Sequence, residues 1–284
     1  MPNLRDIRRR IRSVKSTQQV TRAMKIVAAA KLRRAQDRIL ATRPYAQQMR
    51  QVLASLATRT DPSRHPLLTA RKVKRHELVV ITADKGLCGP FNANILRKTG
   101  QFIQESKDKD VTLQTVGKKA RDYFKRRSVT VTASHVDLTR NIQYSHAAGI
   151  ASNLTRRFIE GEVDAVHLIF NEFKSVMQQR VVVEKLLPIR DLETEAETAH
   201  SEYIYEPSAE KLLDAMLPRH VEYQILKALL ESAAAEFAAR MSAMDSATRN
   251  AGDIVLGLTR TMNRVRQAAI TREIIEVVSG ADSL

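Results

Sequence analysis

The last third of the chain, from about Glu206 to Ser279, carries one hydrophobic pattern that constrains the fold more than any other feature. Two sets of positions alternate with spacings of four and three residues, and eleven of these twelve positions are apolar. A composition with 43% hydrophobic residues would place only about five apolar residues there by chance. The spacing is that of the a and d positions of a coiled coil. The predicted seam consists of Leu230, Ala234, Phe237, Met241, Met244, Thr248, Ala251, Val255, Leu258, Met262, Val265 and Ala269.

This pattern predicts one very long helix, because no proline follows Pro218. Gly252 and Gly257 weaken a helix by about 1 kcal/mol each and do not end it. From Arg219 to Val278 the helix would rise by about 90 Å at ~1.5 Å per residue. A domain of this size needs no element of that length, so the rod itself is the predicted functional element.

A second coiled-coil pattern occupies the start of the chain. Asn3 can cap a helix whose apolar positions recur at spacings of three and four residues, and we expect Pro44 to kink that helix without ending it. Between Ser16 and Met24 the apolar register is lost, which predicts a local stutter in the supercoil. The apolar positions are Leu4, Ile7, Ile11 and Val14, and then Ala28, Leu32, Ala35, Ile39, Thr42, Ala46, Met49, Leu53 and Leu56.

The residues between the two rods alternate between short apolar runs and helical segments, which indicates an α/β domain with a mostly parallel sheet. The run at Gln179–Leu187 follows its predecessor too closely for a helical crossover, so it should pair antiparallel at an edge. The acidic stretch Asp191–Glu202 is predicted to be a surface loop. The other predicted strands are Glu77–Thr82, Val111–Val116, Val129–Ser134 and Val163–Glu172, and the helices are Asn92–Lys107, Lys118–Arg127 and Asn141–Glu160.

The fold class predicted is therefore α/β plus a long antiparallel α-helical coiled coil. Residues 1–60 form an N-terminal helix, residues 61–205 a central Rossmann-like domain, and residues 206–284 a C-terminal helix that pairs with 1–60. The C-terminal helix exceeds its partner by about 15 residues, or ~20 Å, so its last turns should project alone. That end is apolar and should enter a partner. Its apolar residues are Ile270, Ile274, Ile275, Val277 and Val278.

The formal charge of +16 is concentrated at the start of the chain. Residues 1–50 hold 14 Lys and Arg but only 2 Asp and Glu, which indicates an acidic partner. An acidic protein surface is favoured, since DNA-binding basic helices pair with a second chain and no aromatic residue precedes Tyr45. A nucleic-acid-binding protein, a cytoplasmic coiled-coil scaffold with an α/β head and an Arg-rich organelle transit peptide are the alternatives.

No motif predicts a catalytic, cofactor or metal site. The turn Thr82–Pro90 lies where nucleotide-binding α/β proteins bind phosphate, but it matches neither glycine-rich fingerprint, and Pro90 lacks an N–H donor. Cys88 has no nearby histidine and, as the single cysteine, excludes an internal disulfide. The histidines lack metal-ligand spacing, and no apolar run is long enough to span a membrane.

Several blocks of the sequence resemble the gamma subunit of F-type ATP synthase, from Leu4 to Gly280. The blocks at the two ends are the most specific ones, and their start at Leu4 favours a bacterial protein without a transit peptide. Pro90 departs from the family, which usually has glycine there, and the paired cysteines of thiol-regulated forms are absent. The blocks are Thr21–Leu32 (TRAMKIVAAAKL), Gly86–Gly89 (GLCG), Tyr205–Pro207 (YEP), Ala239–Met244 (ARMSAM) and Arg264–Ile274 (RVRQAAITREI).

The resemblance implies a non-catalytic rotor shaft. One such chain stands inside a ring of three alpha and three beta subunits, and its α/β domain contacts the epsilon subunit and the c-subunit ring at the cytoplasmic face of the bacterial inner membrane. Ion flow through the membrane would turn the shaft, and the shaft would drive ATP synthesis in the beta subunits. No cofactor, nucleic acid or membrane span is implied.

The resemblance also assigns contact residues, all by matching family blocks. Met24 and Lys25 match the block that faces an acidic loop of the beta subunit. The foot near the c ring and epsilon is matched by Tyr203, Tyr205 and Glu206. Other contacts with the alpha and beta ring are implied for Arg240, Arg266, Gln267, Thr271 and Glu273.

Overall fold

The computed structural model describes residues 3–57, 60, 65–176, 178–189, 205–206 and 208–282. Two long helices flank alternating strands and helices, so the predicted fold class is confirmed. The helices are α1 (Leu4–Ala57), α2 (Phe91–Glu105), α3 (Lys118–Phe124), α4 (Tyr144–Ile159) and α5 (Ala209–Asp282), with a 3-10 turn at Leu138–Arg140. The strands are β1 (Arg75–Ile81), β2 (Asp110–Val116), β3 (Thr130–His135), β4 (Ala165–Phe173) and β5 (Gln179–Leu187). The acidic stretch predicted as a surface loop lies outside the described residues.

The chain forms two compact units. The terminal unit consists of Met1–Ala28 and Arg240–Leu284, and the central unit of Ala29–Ala239. The helix α1 continues through Pro44 and α5 through Pro218. None of the described helices is both long and apolar enough to cross a membrane.

The central unit contains one five-stranded sheet in the order β3-β2-β1-β4-β5. The first four strands are parallel, whereas β5 runs antiparallel to β4, with His167 opposite Lys185. The predicted antiparallel edge strand is confirmed. The connection from Phe173 to Gln179 is too short for the helical crossover that a parallel pairing requires.

Both faces of the sheet are covered, which explains why β1 is buried along almost its whole length. On one face, Val79 and Ile81 pack with side chains of α1, α4 and α5, including Leu53 and Leu229. On the other face, Leu78 and Val80 pack with α2, α3 and the alanines of α5. The α5 residues at that last contact, Ala235 and Ala239, are small and buried.

A buried ion pair joins β1 of this sheet to α4. Glu77 of β1 has no exposed surface, and Arg157 of α4 donates a hydrogen bond to its Oε1 atom. The hydroxyl of Thr132 on β3 donates to the same oxygen over 2.7 Å. The pair therefore ties α4 to the sheet, and the Glu77 carboxylate cannot return to water while the fold is intact.

Two histidines of adjacent strands share an apolar pocket. The ring centroids of His76 and His167 lie 5.2 Å apart, and the ring of Phe102 lies 5.5 and 5.1 Å from them. Within the described residues, neither nitrogen of His76 nor Nδ1 of His167 has a hydrogen-bond partner. Burial, and then the charge of the neighbouring His76, lowers the pKa of His167 to about 4. Burial also lowers the pKa of His76.

We expect His167 to destabilise the central unit as the pH falls from 6.5 to about 4, against an opposite contribution from Glu231, whose pKa burial raises to about 7. In this window the unfolded chain binds a proton at His167 that the folded chain excludes, so acid favours unfolding. The proton excluded from His167 lowers the free energy of unfolding by about 3 kcal/mol once the pH is below its folded pKa. Urea unfolding can be followed by tyrosine fluorescence, because all six tyrosines lie between residues 29 and 239 and the chain has no tryptophan.

The matched variants are His167→Leu, which removes the titrating group, and His146→Gln at the start of α4, which removes a histidine outside the pocket. The difference in unfolding free energy between the unaltered chain and His167→Leu should change by about 3 kcal/mol between pH 7 and pH 4, whereas the corresponding difference for His146→Gln should change by much less. An acid dependence that persisted undiminished in His167→Leu would contradict this account.

Candidate functional site

The two long helices pair through the predicted seam. All twelve predicted positions of α5 are buried or half-buried, and so are all thirteen predicted positions of α1. Contacts between residues such as Thr21 and Thr248 in the terminal unit, and Thr42 and Tyr223 in the central unit, run antiparallel. The predicted coiled-coil register is confirmed.

The predicted stutter between Ser16 and Met24 is wrong. Half-buried or buried positions continue at Val14, Gln18, Thr21, Lys25 and Ala28, so the spacing of three and four is unbroken. The apolar pattern is lost there because polar side chains occupy seam positions. A polar side chain can take such a position when a partner across the seam satisfies its hydrogen bonds.

These polar seam residues form a layer inside the terminal unit, which we call the polar layer. The hydroxyls of Thr21 and Thr248 lie 2.8 Å apart, and the Gln18 amide donates to the Thr248 carbonyl over 3.3 Å. Lys25 Nζ lies 2.5 Å from Asp245 Oδ1. The hydrogen bond from Lys25 lowers the pKa of Asp245. The layer favours one register, since a shifted pairing would separate these partners.

Met24 and Lys25, predicted to face an acidic loop of a partner, are both half-buried in the terminal unit. The ammonium group of Lys25 is bound to Asp245 of the same chain, while 43% of its side chain stays exposed. The basic residues before it on α1 are exposed. They are Arg5, Arg8, Arg9, Arg10, Arg12, Lys15 and Arg22.

The C-terminal part of α5 presents its side chains to solvent, and every residue from 271 to 279 is exposed. Its polar members include the predicted contact residues Arg266, Gln267, Thr271 and Glu273, all exposed. The Thr271 hydroxyl bonds back to the Gln267 carbonyl over 2.9 Å. Its apolar members are 48–72% exposed, as predicted for this end: Ile270, Ile274, Ile275, Val277 and Val278. We call these five residues the apolar tip.

Sequence reasoning missed a second exposed apolar set in the terminal unit. It consists of Val20, Ile26 and Val27 on α1 and Ile254 and Leu256 on α5, each more than half exposed. The signal was present in the sequence, because all five lie off the coiled-coil seam. An apolar residue off the seam of a two-helix coil has no intramolecular surface to cover it.

The remaining predicted contact residues lie elsewhere. Arg240 is half-buried on α5. Tyr205 is half-buried in the central unit, and its hydroxyl lies 2.7 Å from that of Ser55 on α1. Glu206 is exposed, and Tyr203 lies outside the described residues. Of the predicted contact residues, Met24, Lys25 and Arg240 belong to the terminal unit, whereas Tyr205 and Glu206 belong to the central unit.

The turn after β1 is filled by the chain's own polar groups. The Asp84 carboxylate accepts hydrogen bonds from the backbone N–H of Lys118, at the start of α3, and of Asp137, over 3.1 and 3.0 Å. The Thr139 hydroxyl donates to it over 3.0 Å. A nucleotide-binding α/β protein offers such helix N-terminal donors to a phosphate. Here the Asp84 carboxylate accepts the N–H groups of Lys118 and Asp137 instead.

Two further residues of this turn are structural. Cys88 is buried, and the Asn92 amide donates to its sulfur over 3.2 Å. Pro90 precedes α2 with an ordinary negative φ of -81°, and its carbonyl accepts the N–H of Asn94. In the parts of the chain that the structure describes, no three His, Cys, Asp or Glu side chains converge as metal ligands would.

Comparisons with known proteins agree on one family. The family described as ATP synthase matches residues 3–284. An ATP synthase gamma chain from Anaeromyxobacter sp. (strain Fw109-5) is 52% identical over 289 residues, covering 100% of both chains. One from Pelotomaculum thermopropionicum is 47% identical over 284 residues, again with 100% of both chains covered.

Solved structures give the same picture of the fold. A chain from the central stalk and c-ring structure of Tetrahymena thermophila mitochondrial ATP synthase matches with a TM-score of 0.62 and 28% identity, covering 80% of this chain and 99% of that one. A chain of the Euglena gracilis mitochondrial ATP synthase in rotational state 3 matches with a TM-score of 0.71 and 21% identity, covering 99% and 94%.

Proposed function

This chain belongs to the ATP synthase gamma chain family, and from that premise we propose that it is the central rotor shaft of the complex. In this role it transmits torque between the membrane c ring and the catalytic ring of three alpha and three beta subunits. The chain is a subunit of an enzyme and performs no catalytic step itself. Neither a free scaffold nor a nucleic-acid-binding protein finds support among the relatives.

The apolar tip is the observation that carries this proposal. Five branched aliphatic side chains lie at one helix end, each 48–72% exposed. Burying this apolar surface against a partner would lower the free energy of the chain. An aliphatic surface has no directional bonds, so a sleeve of partner side chains can hold it without selecting one rotational angle. Such a contact suits a bearing for a turning shaft.

The polar layer supports the same role from inside the coil. A shaft under torque must keep its two helices in one register, and apolar seams alone resist sliding weakly. The Lys25–Asp245 pair and the Thr21–Thr248 hydrogen bond would both be lost if one helix shifted past the other. Sliding therefore costs more than the apolar contacts alone would impose.

We place the contacts of the shaft as the family resemblance implies. The ring of alpha and beta subunits would meet Met24, Lys25, Arg240, Arg266, Gln267, Thr271 and Glu273. The foot at the c ring and epsilon would include Tyr203, Tyr205 and Glu206. The organisation into 1–60, 61–205 and 206–284 goes with this proposal, as does a peripheral position at the cytoplasmic face of a bacterial inner membrane.

Asp84 supports the absence of catalysis in this chain. Its carboxylate accepts the N–H groups of Lys118 and Asp137, and a phosphate brought to this edge of the sheet would meet a negative charge. Nucleotide chemistry is therefore assigned to the partner subunits.

Co-expression with the alpha and beta chains of the same organism tests the function. We expect a complex with one copy of this chain for three alpha and three beta chains. Replacing Ile274 and Ile275 together by Asp should reduce recovery of the complex or its coupled ATP synthesis several-fold, because charges would enter the apolar sleeve. Both side chains are 58% exposed, so the fold of the free chain should not change.

Ile159→Asp is the matched control, since this isoleucine of α4 is also exposed, at 47%, but belongs to the central unit. It should assemble and turn over normally. Recovery of the unaltered chain only as a free homodimer would contradict the rotor role. Equal coupling in the Ile274→Asp, Ile275→Asp variant and in the control would contradict the bearing role of the apolar tip.

A further inference from the structure

A cleft of about 390 Å³ lies in the central unit between α1 and α5. Its floor is apolar and buried, formed by Ala46 and Met49 of α1 and Leu230 of α5. Tyr223 closes one side: its hydroxyl donates to the Thr42 carbonyl over 3.4 Å, and its ring lies 6.1 Å from that of Tyr45. The cleft is of the size that binds small molecules and is separate from every residue assigned to the rotor contacts.

Cations border this apolar floor. Arg43 and Arg50 are exposed residues of α1, two turns apart, and so lie about 10 Å from each other along the helix. Lys227 of α5 borders the cleft as well and lies 3.8 Å from Glu184 of β5, a distance at which the pair is loose. The positive charges of Arg43, Arg50 and Lys227 around an apolar surface attract an anion that also carries an apolar part.

Glu231 supplies the acidic group of the cleft. Its Oε2 atom is fully buried, and among the described residues no hydrogen-bond donor reaches it. Burial raises the pKa of this carboxyl to about 7, against the opposing charge of Lys227. Glu184 and Glu172 of the neighbouring strands raise the pKa further, while Arg43 lowers it. At neutral pH the group is therefore partly protonated, and its O–H can donate a hydrogen bond. His220 of α5 is a second titratable group in the cleft lining, with its Nε2 atom 3.3 Å from the Gln224 amide nitrogen.

We propose that this cleft binds a small amphiphilic anion. The carboxylate or phosphate of the ligand lies among Arg43, Arg50 and Lys227, and its apolar part covers Ala46, Met49 and Leu230. A bound negative charge near Glu231 favours the protonated carboxyl, so binding takes up a proton and tightens as the pH falls through 7. The protonated Glu231 then carries no negative charge that would repel the ligand.

Calorimetry with the full chain tests the proposal, with octyl phosphate and octanoate as probes below their aggregation limits. Inorganic phosphate lacks the apolar part, and octyl glucoside lacks the charge. We expect saturable binding of one equivalent of at least one of the two anionic amphiphiles, and the stronger of the two identifies the head group. Inorganic phosphate and octyl glucoside should each bind about tenfold more weakly or not at all.

Three variants locate the site. Arg43→Gln with Arg50→Gln should weaken binding at least tenfold, whereas Arg33→Gln with Arg34→Gln, which removes two exposed arginines of α1 outside the cleft, should not. Glu231→Gln should still bind but should lose the proton uptake, measured by repeating the titration in buffers of different ionisation enthalpy.

Several results would overturn the proposal. These are octyl glucoside binding as tightly as octyl phosphate, no saturable binding of either anion at millimolar concentration, and equal weakening by the two pairs of arginine substitutions. Undiminished proton uptake in Glu231→Gln would remove Glu231 from the site. Because the probes are applied to the free chain, these results do not depend on assembly with alpha and beta subunits.

Discussion

Replacing Arg157 by Met is expected to destabilise the central unit by about 3–5 kcal/mol, because it leaves the carboxylate of Glu77 buried without its counter-charge. Glu77 has no exposed surface, and Arg157 is its cationic partner from α4. Among the described residues, only the Thr132 hydroxyl would remain to bind the carboxylate. The measurement is the free energy of unfolding in urea, followed by tyrosine fluorescence.

A double-mutant cycle separates the pair from the packing around it. Glu77→Leu with Arg157→Met removes both charges and should recover most of the loss, since two apolar side chains can replace a buried ion pair at little cost. Arg156→Met is the matched control: Arg156 is adjacent, about half exposed, and pairs with Glu160 and Glu162 at the surface. It should cost no more than about 1 kcal/mol.

The account of the ion pair fails if Arg157→Met and Arg156→Met have the same effect. It also fails if the double variant is as unstable as Arg157→Met, because the loss would then come from packing and not from an unpaired charge.

Gly117→Ala is expected to destabilise the central unit by about 3 kcal/mol or more. Gly117 lies between β2 and α3 with a φ of +92°, a conformation that L side chains rarely adopt. A Cβ atom there would lie 2.2 Å from the backbone oxygen of Thr82. Neither group can move away easily, because Thr82 is hydrogen-bonded to Val116 and Ala120.

Gly149→Ala is the matched control and should have the opposite sign. Gly149 is an exposed residue inside α4, and a Cβ atom there would meet no heavy atom within 4 Å. Alanine should therefore stabilise the helix by about 0.5–1 kcal/mol. Thermal or urea unfolding of both variants measures the contrast. Equal midpoints for Gly117→Ala and the unaltered chain would mean that the turn can open at no cost.

Contacts of Gly117 and Asp84 close the carboxyl edge of the sheet in the part of the chain that the structure describes. Gly117 brings the end of β2 against Thr82, and Asp84 accepts the N–H of Lys118, the first residue of α3. The carboxyl edge of a parallel sheet, where α/β enzymes bind their ligands, is here joined by internal hydrogen bonds. The central unit uses the fold for rigidity, which suits a part that must carry torque.

The polar layer is the place where the sequence pattern and the structure differ most. An apolar heptad pattern predicted both long helices and their pairing, but it failed between Ser16 and Met24. There Gln18, Thr21 and Lys25 hold the seam positions, and pattern analysis reads a polar seam residue as a break. Their partners, Thr248 and Asp245, lie more than 200 residues away along the chain.

One part of the candidate contact surface could be predicted from the sequence pattern, and the other part could not. The apolar tip was predictable, because its residues continue beyond the point where the first helix can cover them. The contact roles of Met24, Lys25, Arg266 and the foot residues come from family resemblance and remain predictions. That Lys25 is bound to Asp245 of its own chain could not be read from the sequence, since no local pattern joins the two positions.

What the sequence determined by itself was everything that depends on periodicity: the two helices, their antiparallel seam, the alternation of strands and helices along the chain and the antiparallel edge strand. Periodicity is a local property, because side-chain direction repeats every 3.6 residues in a helix and every 2 in a strand. Only the tertiary structure decided the pairs Glu77–Arg157, Lys25–Asp245 and His76–His167 and the cleft beside Glu231. A buried polar group is stable only with a partner at hydrogen-bond distance, and the partner is supplied by whichever distant segment the packed fold brings there.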